Sequence, residues 1–368
     1  MPSVTSLTIA PAVRGAVASG AAVVALESAV ITHGLPKAAA MDAVRQQWAA
    51  CMKANVTPAV VGVFEGQLRV GLTIDECAAL AGRTDAVKVS PWNLAAGTVS
   101  PGFGGTTVAA TMVAAMRAGI RVVSTGGIGG VHPGDGQDVS SDLTELGRQP
   151  VCVVCAGPKS TLDAGATLER LETLGVPVIG WRSSLLAGFL ATSAGLRLPA
   201  RAETVDDLAS ILSRHWDLGG AGVVVSQPLP GELAIPRAEL AGDDATTARG
   251  PDRTPAELSR LQARLGDRVI RANVALLERN AALASLVALA LNTRVRAFPD
   301  RGAVATAETH GDGRRLSPVA VGPIRCAQCR GDHGTRRHYP RLERRRRAVR
   351  AVARHPPARP VVDPAERR

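Results

Sequence analysis

The chain has 368 residues, of which 46% are hydrophobic but only 2% aromatic, so any large core must be built from Ala, Val, Leu and Ile. A net charge of +11 suggests a nucleic-acid binder, yet residues 1–300 balance 26 Lys+Arg against 26 Asp+Glu, while residues 301–368 hold 17 Arg against 6 acids. The basic excess is therefore confined to the end of the chain, and most of it carries no basic footprint.

Short β-branched runs alternate with helical patterns. Val23–Leu26 reads as a strand, and Lys37–Lys53 as a helix with Pro36 near its start. Ala59–Phe64 and Gln67–Val70 read as strands, followed by a helix over Thr73–Ala81 with Thr73 and Glu76 in capping-box spacing. Ala86–Val89 is a short strand, and Thr106–Ala118 a small-residue helix ended by Gly119. Strands are expected at Ile120–Ser124, Val151–Ala156, Val176–Gly180 and Gly222–Ser226. Helices are expected at Thr161–Leu174, Thr204–Trp216, Thr254–Leu265 and Arg268–Leu291. This alternation predicts an α/β fold, a mostly parallel sheet flanked by helices in a single large domain over residues 1–292. Residues 293–368 are rich in Arg, Pro, Gly and Ala without apolar period and read as a disordered tail. Within it, Cys326, Cys329, His333 and His338 have a zinc-like spacing, but no second cysteine pair supports a site.

Cys152 and Cys155 form a C-x-x-C inside an apolar strand, which favours core packing over redox chemistry. The N-terminus lacks a charged segment followed by a long apolar run, and no stretch reaches 18 apolar residues. A soluble cytoplasmic protein without membrane contact is expected.

Lysine is scarce: Lys37, Lys53, Lys88 and Lys159 stand against 39 arginines. Arginine replaces lysine wherever only charge is needed, but a guanidinium cannot attack a carbonyl. Open α/β sheets bind ligands beyond the carboxyl ends of their strands, and the unusual polar groups fall there. Glu27-Ser28 follows the first strand, Lys88 lies at the end of another, and Gly126–Gly130 and Gly157-Pro158-Lys159-Ser160 follow two more. Each has a structural alternative. Glu27 could cap a helix, Gly126–Gly130 could be a tight turn, and Asp138 with Asp142 could merely begin a helix at Ser140. Gly104-Gly105-Thr106-Thr107, read as opening a helix, is a better anion site than the glycine loop. Two carboxylates near a phosphate loop would also suit a hard metal such as Mg²⁺ or Mn²⁺.

Together these stretches resemble the pseudouridine-5'-phosphate glycosidase family, also called indigoidine-synthase-A-like, over about residues 8–291. The resemblance rests on Val24–Ser28 with Thr32–Pro36, Lys88–Ser90, Thr106–Ala109, Thr125–His132, Asp138–Leu143 and Val153–Ser160, joined by Gly175–Gly180, Asn273 and Asn280. It implies an enzyme that cleaves the carbon–carbon bond between uracil and ribose 5-phosphate. Glu27 would donate the proton, and Lys159 would be the nucleophile. Lys88, Val108, Ser140, Ser141, Asp142 and Asn273 would bind substrate, Asp138 would anchor Mn²⁺, and the chain would form homotrimers. The chain departs from the family pattern after Lys88, where Pro91, Trp92 and Asn93 replace two basic residues and an acid, and at Gly180–Ser184. Two other readings are open: a different imine-forming lyase acting on a sugar phosphate, and an RNA-binding protein using the arginine-rich tail.

Overall fold

The central strands are apolar on both faces, as parallel strands covered by helices require. In a computed structural model describing residues 7–99, 102–134, 136–240 and 253–297, the strands β2 (Val23–Leu26), β8 (Cys152–Cys155) and β11 (Val223–Ser226) are buried throughout. With β1 (Leu7–Ile9), β3 (Thr57–Phe64), β4 (Gln67–Val70), β7 (Val122–Ser124), β9 (Val178–Trp181) and β10 (Ala200–Ala202) they form a sheet ordered β1-β4-β3-β2-β7-β8-β11-β9-β10. A side branch of β5 (Val87–Val89) and β6 (Gly104–Thr106) joins at β3. All pairs are parallel except β3 with β4 and β3 with β6. The expected mostly parallel α/β sheet is thus present, and the described residues fall in one compact unit, Met1–Val304.

Helices cover both faces. These are α1 (Pro11–Ala18), α2 (Lys37–Lys53), α3 (Ile74–Ala81), α4 (Leu94–Gly97), α5 (Val108–Arg117), α6 (Ser141–Leu146), α7 (Ala164–Thr173), α8 (Val205–Asp217), α9 (Arg237–Leu240), α10 (Arg253–Leu265) and α11 (Asp267–Ala297). The capping box at Thr73 is formed: Glu76 N–H donates to the Thr73 hydroxyl, and Thr73 N–H donates to the Glu76 carboxylate. Helix α11 is long and apolar enough to cross a bilayer, which counting consecutive apolar residues did not detect. It instead packs on α2, α8, β2, β7 and β8, and Ala281, Ala284, Val287 and Ala288 are buried in the core. It also runs past the expected end at Leu291, and the zinc-like spacing of the tail lies outside the described residues.

One expectation is corrected. Gly104–Thr106 does not open a helix; it is strand β6, and α5 begins at Val108 with Thr107 as its N-cap. The reason is that the Thr106 N–H donates to the Ser28 hydroxyl and Gly105 pairs with Lys88, so these backbone groups are used in the sheet. They do not form an anion cradle. Both Cys152 and Cys155 are free, fully buried thiols, and burial pushes the Cys155 thiol up to about 12, so core packing is the right reading.

Candidate active site

Strand order decides which residues meet. Because β2, β7 and β8 are neighbours, their carboxyl ends bring Glu27, Thr125-Gly126-Gly127 and Gly157-Pro158-Lys159 to one edge. The β5–β6 branch delivers Lys88 to the same place, since the Ser28 hydroxyl donates to the Val61 carbonyl and accepts from Thr106 N–H, stapling β6 to the end of β2. A cavity there is lined by Glu27, Lys88, Lys159, His33, Asn273 and Phe189, with Gly126, Gly127 and Leu277 completing its wall.

Lys159 is fixed through its backbone. Gly157 adopts φ +84°, and a Cβ there would sit 2.2 Å from the Ala187 carbonyl oxygen, so only glycine fits the turn. Ile128 N–H donates to the Gly157 carbonyl at 3.1 Å, and Lys159 N–H donates to the Ile128 carbonyl at 3.1 Å. The Gly157–Lys159 loop and the glycine-rich loop therefore run locked side by side, and the lysine side chain reaches the cavity from a rigid base.

Glu27 is 7% exposed, and Thr125 Oγ1 donates to its carboxylate. Burial pushes its pKa above the ordinary carboxylate value, Lys159 and the Thr125 hydrogen bond oppose that rise, Asp142 adds to it, and Lys88 opposes it. Desolvation dominates, so this carboxyl holds its proton more tightly than a surface glutamate.

The remaining expected residues surround the glycine loop instead of lining the cavity. Asp142 is 3% exposed; one carboxylate oxygen accepts from Ala109 N–H and the other from Gly129 N–H, both at 2.8 Å. It clasps the glycine loop to the first turn of α5, where buried Val108 lies. Ser140 is the N-cap of α6, its hydroxyl accepting from Asp142 N–H at 3.2 Å, and Ser141 is the first residue of that helix. Asp138 is half-buried, and its carbonyl accepts from His132 N–H at 2.9 Å. Loop amides at Ile128, Gly129, Val131 and His132 are all committed to internal bonds, which limits the loop as a phosphate cradle.

Phe189 was not foreseen. It is buried at φ +60°, a left-handed conformation that bulky residues rarely accept, and its N–H donates to the Ala156 carbonyl at 2.7 Å. Its ring packs where a Cβ on Gly127 would come within 2.6 Å. A single Phe in an Ala/Leu/Ser run gives no sequence signal of this. His33 lies on a π-helical turn, Val30–Gly34, with its ring Nδ1 2.6 Å from the Thr32 hydroxyl. Such turns recur at functional sites. Its motif was legible but its place in the cavity was not. Asn280 Nδ2 donates to the Thr125 carbonyl at 2.8 Å, which ties α11 to the end of β7.

The described residues contain no cluster of three or more His, Cys, Asp or Glu groups able to cage a metal. A half-buried carboxylate such as Asp138 suits only a hard cation that keeps most of its own water or takes oxygens from a ligand.

The chain is similar to known proteins over most of its length. The family described as "Indigoidine synthase A like protein" matches residues 12–290. A protein of Methylobacterium nodulans named pseudouridine-5'-phosphate glycosidase is 42% identical, over 85% of this chain and 96% of its own length. One of the same name from Nocardioides sp. is 42% identical, over 77% of this chain and 95% of its own. Among solved structures, an indigoidine synthase A-like protein of Thermotoga maritima superposes with a TM-score of 0.71 at 34% identity, covering 74% of this chain and 94% of its own. The prealnumycin C-glycosynthase AlnA, solved with ribulose 5-phosphate, gives 0.72 at 33% identity, covering 79% and 98%. The chain belongs to the indigoidine-synthase-A-like family.

Proposed function

We propose that this protein is a pseudouridine-5'-phosphate glycosidase, converting pseudouridine 5'-phosphate and water to uracil and ribose 5-phosphate. The observation that carries the reading is one cavity holding a buried, proton-retaining Glu27 together with Lys88 and Lys159. It is supported by relatives of that name covering almost their whole length at 42–43% identity. The bond to be broken joins C1' of the sugar to C5 of uracil, so no base nitrogen can be protonated to leave. Attack of the Lys159 amine on C1' breaks the C1'–O4' bond, the ring oxygen takes up a proton, and the nitrogen lone pair of the open-chain adduct then supplies the needed electron pair. The C1'–C5 bond breaks as the C1'=N bond forms, and Glu27 gives its proton to C5 of uracil. Water then adds to the imine and releases ribose 5-phosphate from Lys159. Lys88 and Asn273, which both line the cavity, hold the substrate, with Val108 and Ser140–Asp142 positioning it through the glycine loop.

The test is direct. Incubation with pseudouridine 5'-phosphate and Mn²⁺ should release stoichiometric uracil and ribose 5-phosphate; no uracil under any divalent metal would reject the assignment. The same assay separates the reading from another imine-forming sugar-phosphate lyase, which would leave uracil bound.

We assign the metal role to Asp138, whose carboxylate would hold a hard cation such as Mn²⁺. Bound there, the cation would neutralise phosphate charge and help orient the substrate. Asp138→Ala is expected to lose metal dependence together with most activity, as read by a manganese titration. Full activity in excess chelator would reject the role. A cytoplasmic homotrimer completes the proposal, and light scattering on the purified protein checks the stoichiometry.

Removing residues 305–368 should leave uracil release within about twofold, because family similarity and every cavity residue lie before them. Loss of activity on truncation, with loss of RNA binding in a shift assay, would favour the tail-based reading instead. The cut belongs after α11 because Asn292 Nδ2 still donates to the Gly20 carbonyl at 3.1 Å.

A further inference from the structure

We propose that Asn93 is a positioning residue for Lys88; the proposal rests on the functional reading above. Asn93 stands at the N-cap of α4, where an Asn side chain ordinarily accepts from the helix's own first-turn amides. It makes no such bond. Thr73, Thr107, Ser140, Asp163 and Thr204 all cap their own helices through their side chains. The Asn93 side chain instead turns back on the strand that carries Lys88. Its Oδ1 accepts from Ser90 N–H at 2.8 Å, and its Nδ2 donates to the Lys88 carbonyl at 3.1 Å. Its backbone N–H adds a third bond, to the Ser90 carbonyl at 3.1 Å.

The amide thus satisfies a carbonyl and an N–H on the same short strand end. It does for β5 what a further paired strand would do. The need is evident from the topology. β5 has three residues, pairs among the described residues only with β6, and lies off the main path of the sheet. Its last residue is secured by Thr107 N–H donating to the Val89 carbonyl at 2.8 Å, which leaves the Lys88 carbonyl to Asn93. A three-residue edge strand would otherwise be free to shift, and a lysine that must meet a substrate within hydrogen-bond reach cannot tolerate a shift of an ångström. The amide supplies an acceptor and a donor at once, whereas the acid of the family pattern at this position supplies only the acceptor.

A double-mutant cycle tests the coupling. Asn93→Ala should lower kcat/KM about 10- to 100-fold, mostly through KM, and Lys88→Met should lower it further. In the Lys88→Met background, Asn93→Ala should cost less than about twofold, because residues acting through one another are not additive. Equal cost in both backgrounds would overturn the proposal and mark Asn93 as a general turn stabiliser. Should Asn93→Ala fail to fold, Asn93→Ser serves. Its shorter hydroxyl can cap α4 but cannot span the Ser90 N–H and the Lys88 carbonyl together, and it adds no charge, so it should show the same dependence on Lys88. The cycle can also be read on calorimetric binding of ribose 5-phosphate. If the unmodified protein released no uracil, the functional reading would fail, while coupling in that binding would still decide the role of Asn93.

Discussion

Lys159→Arg is expected to reduce uracil release to background while leaving the fold and the affinity for ribose 5-phosphate largely intact. Arginine preserves the charge at the cavity wall and nearly the reach. A role as phosphate clamp would therefore survive the change with substantial activity. A nucleophile would not, because guanidinium stays protonated and delocalised and forms no imine. The backbone geometry makes the comparison clean: Lys159 N–H is bonded to the Ile128 carbonyl and Gly157 fixes the preceding turn, so the substitution changes the side chain without moving its base. Borohydride added during turnover of the unmodified protein should leave a reduced ribose 5-phosphate adduct on Lys159, identified by peptide mass. An adduct on Lys88, or none from an active enzyme, would reassign the chemistry.

Glu27→Gln is expected to slow uracil release by about 10²- to 10⁴-fold, the usual contribution of a positioned acid, with substrate binding nearly unchanged. Its pH signature follows from the raised affinity for the proton. The active form is the protonated one, so the rate should be flat at low pH and fall as pH rises through a midpoint above the ordinary carboxylate range. Lys88 is among the charges that oppose the rise, so Lys88→Met should move this limb to higher pH. Stability follows pH in the same direction as activity, but the substitution moves the two in opposite directions. The folded state binds the Glu27 proton more tightly than the unfolded chain, so stability falls as pH rises from the unfolded value through the raised one. Above the unfolded value, keeping this group buried is a cost that glutamine removes. Glu27→Gln should therefore melt at the same or a higher temperature while losing its rate. A variant that is both active and less stable would contradict both statements.

The fold was largely legible because its strands are apolar on both faces and alternate with capped helices. Val23–Leu26, Gln67–Val70 and Lys37–Lys53 have the expected boundaries. The capping box at Thr73 was readable because its chemistry is local. Strand β6 was not, because Gly104–Thr106 has no β-branched run and becomes a strand only through partners far along the chain, Lys88 and Ser28. The site divides in the same way. Glu27, Lys88 and Lys159 could be found from scarcity and strand-end position. Phe189 could not, since its left-handed backbone is imposed by the turn around it. The part Asp142 plays as a clasp depends on two amides, one before and one after the strand between them, and no spacing rule encodes that.

The last helix gives the site an order of assembly. Asn273 and Leu277 close the cavity that Glu27 opens, and Asn280 holds the carbonyls at the end of β7. During synthesis, Glu27 leaves the ribosome long before any of them. Until α11 arrives, the faces of β2, β7 and β8 that it covers stay uncovered, and the nascent chain exposes the apolar surface that chaperones bind and that drives aggregation. Closure then joins residues from opposite ends of the domain, a late and slow contact. A message that terminates before α11 would consequently yield a chain with every lysine in place and no enclosed pocket to use them in.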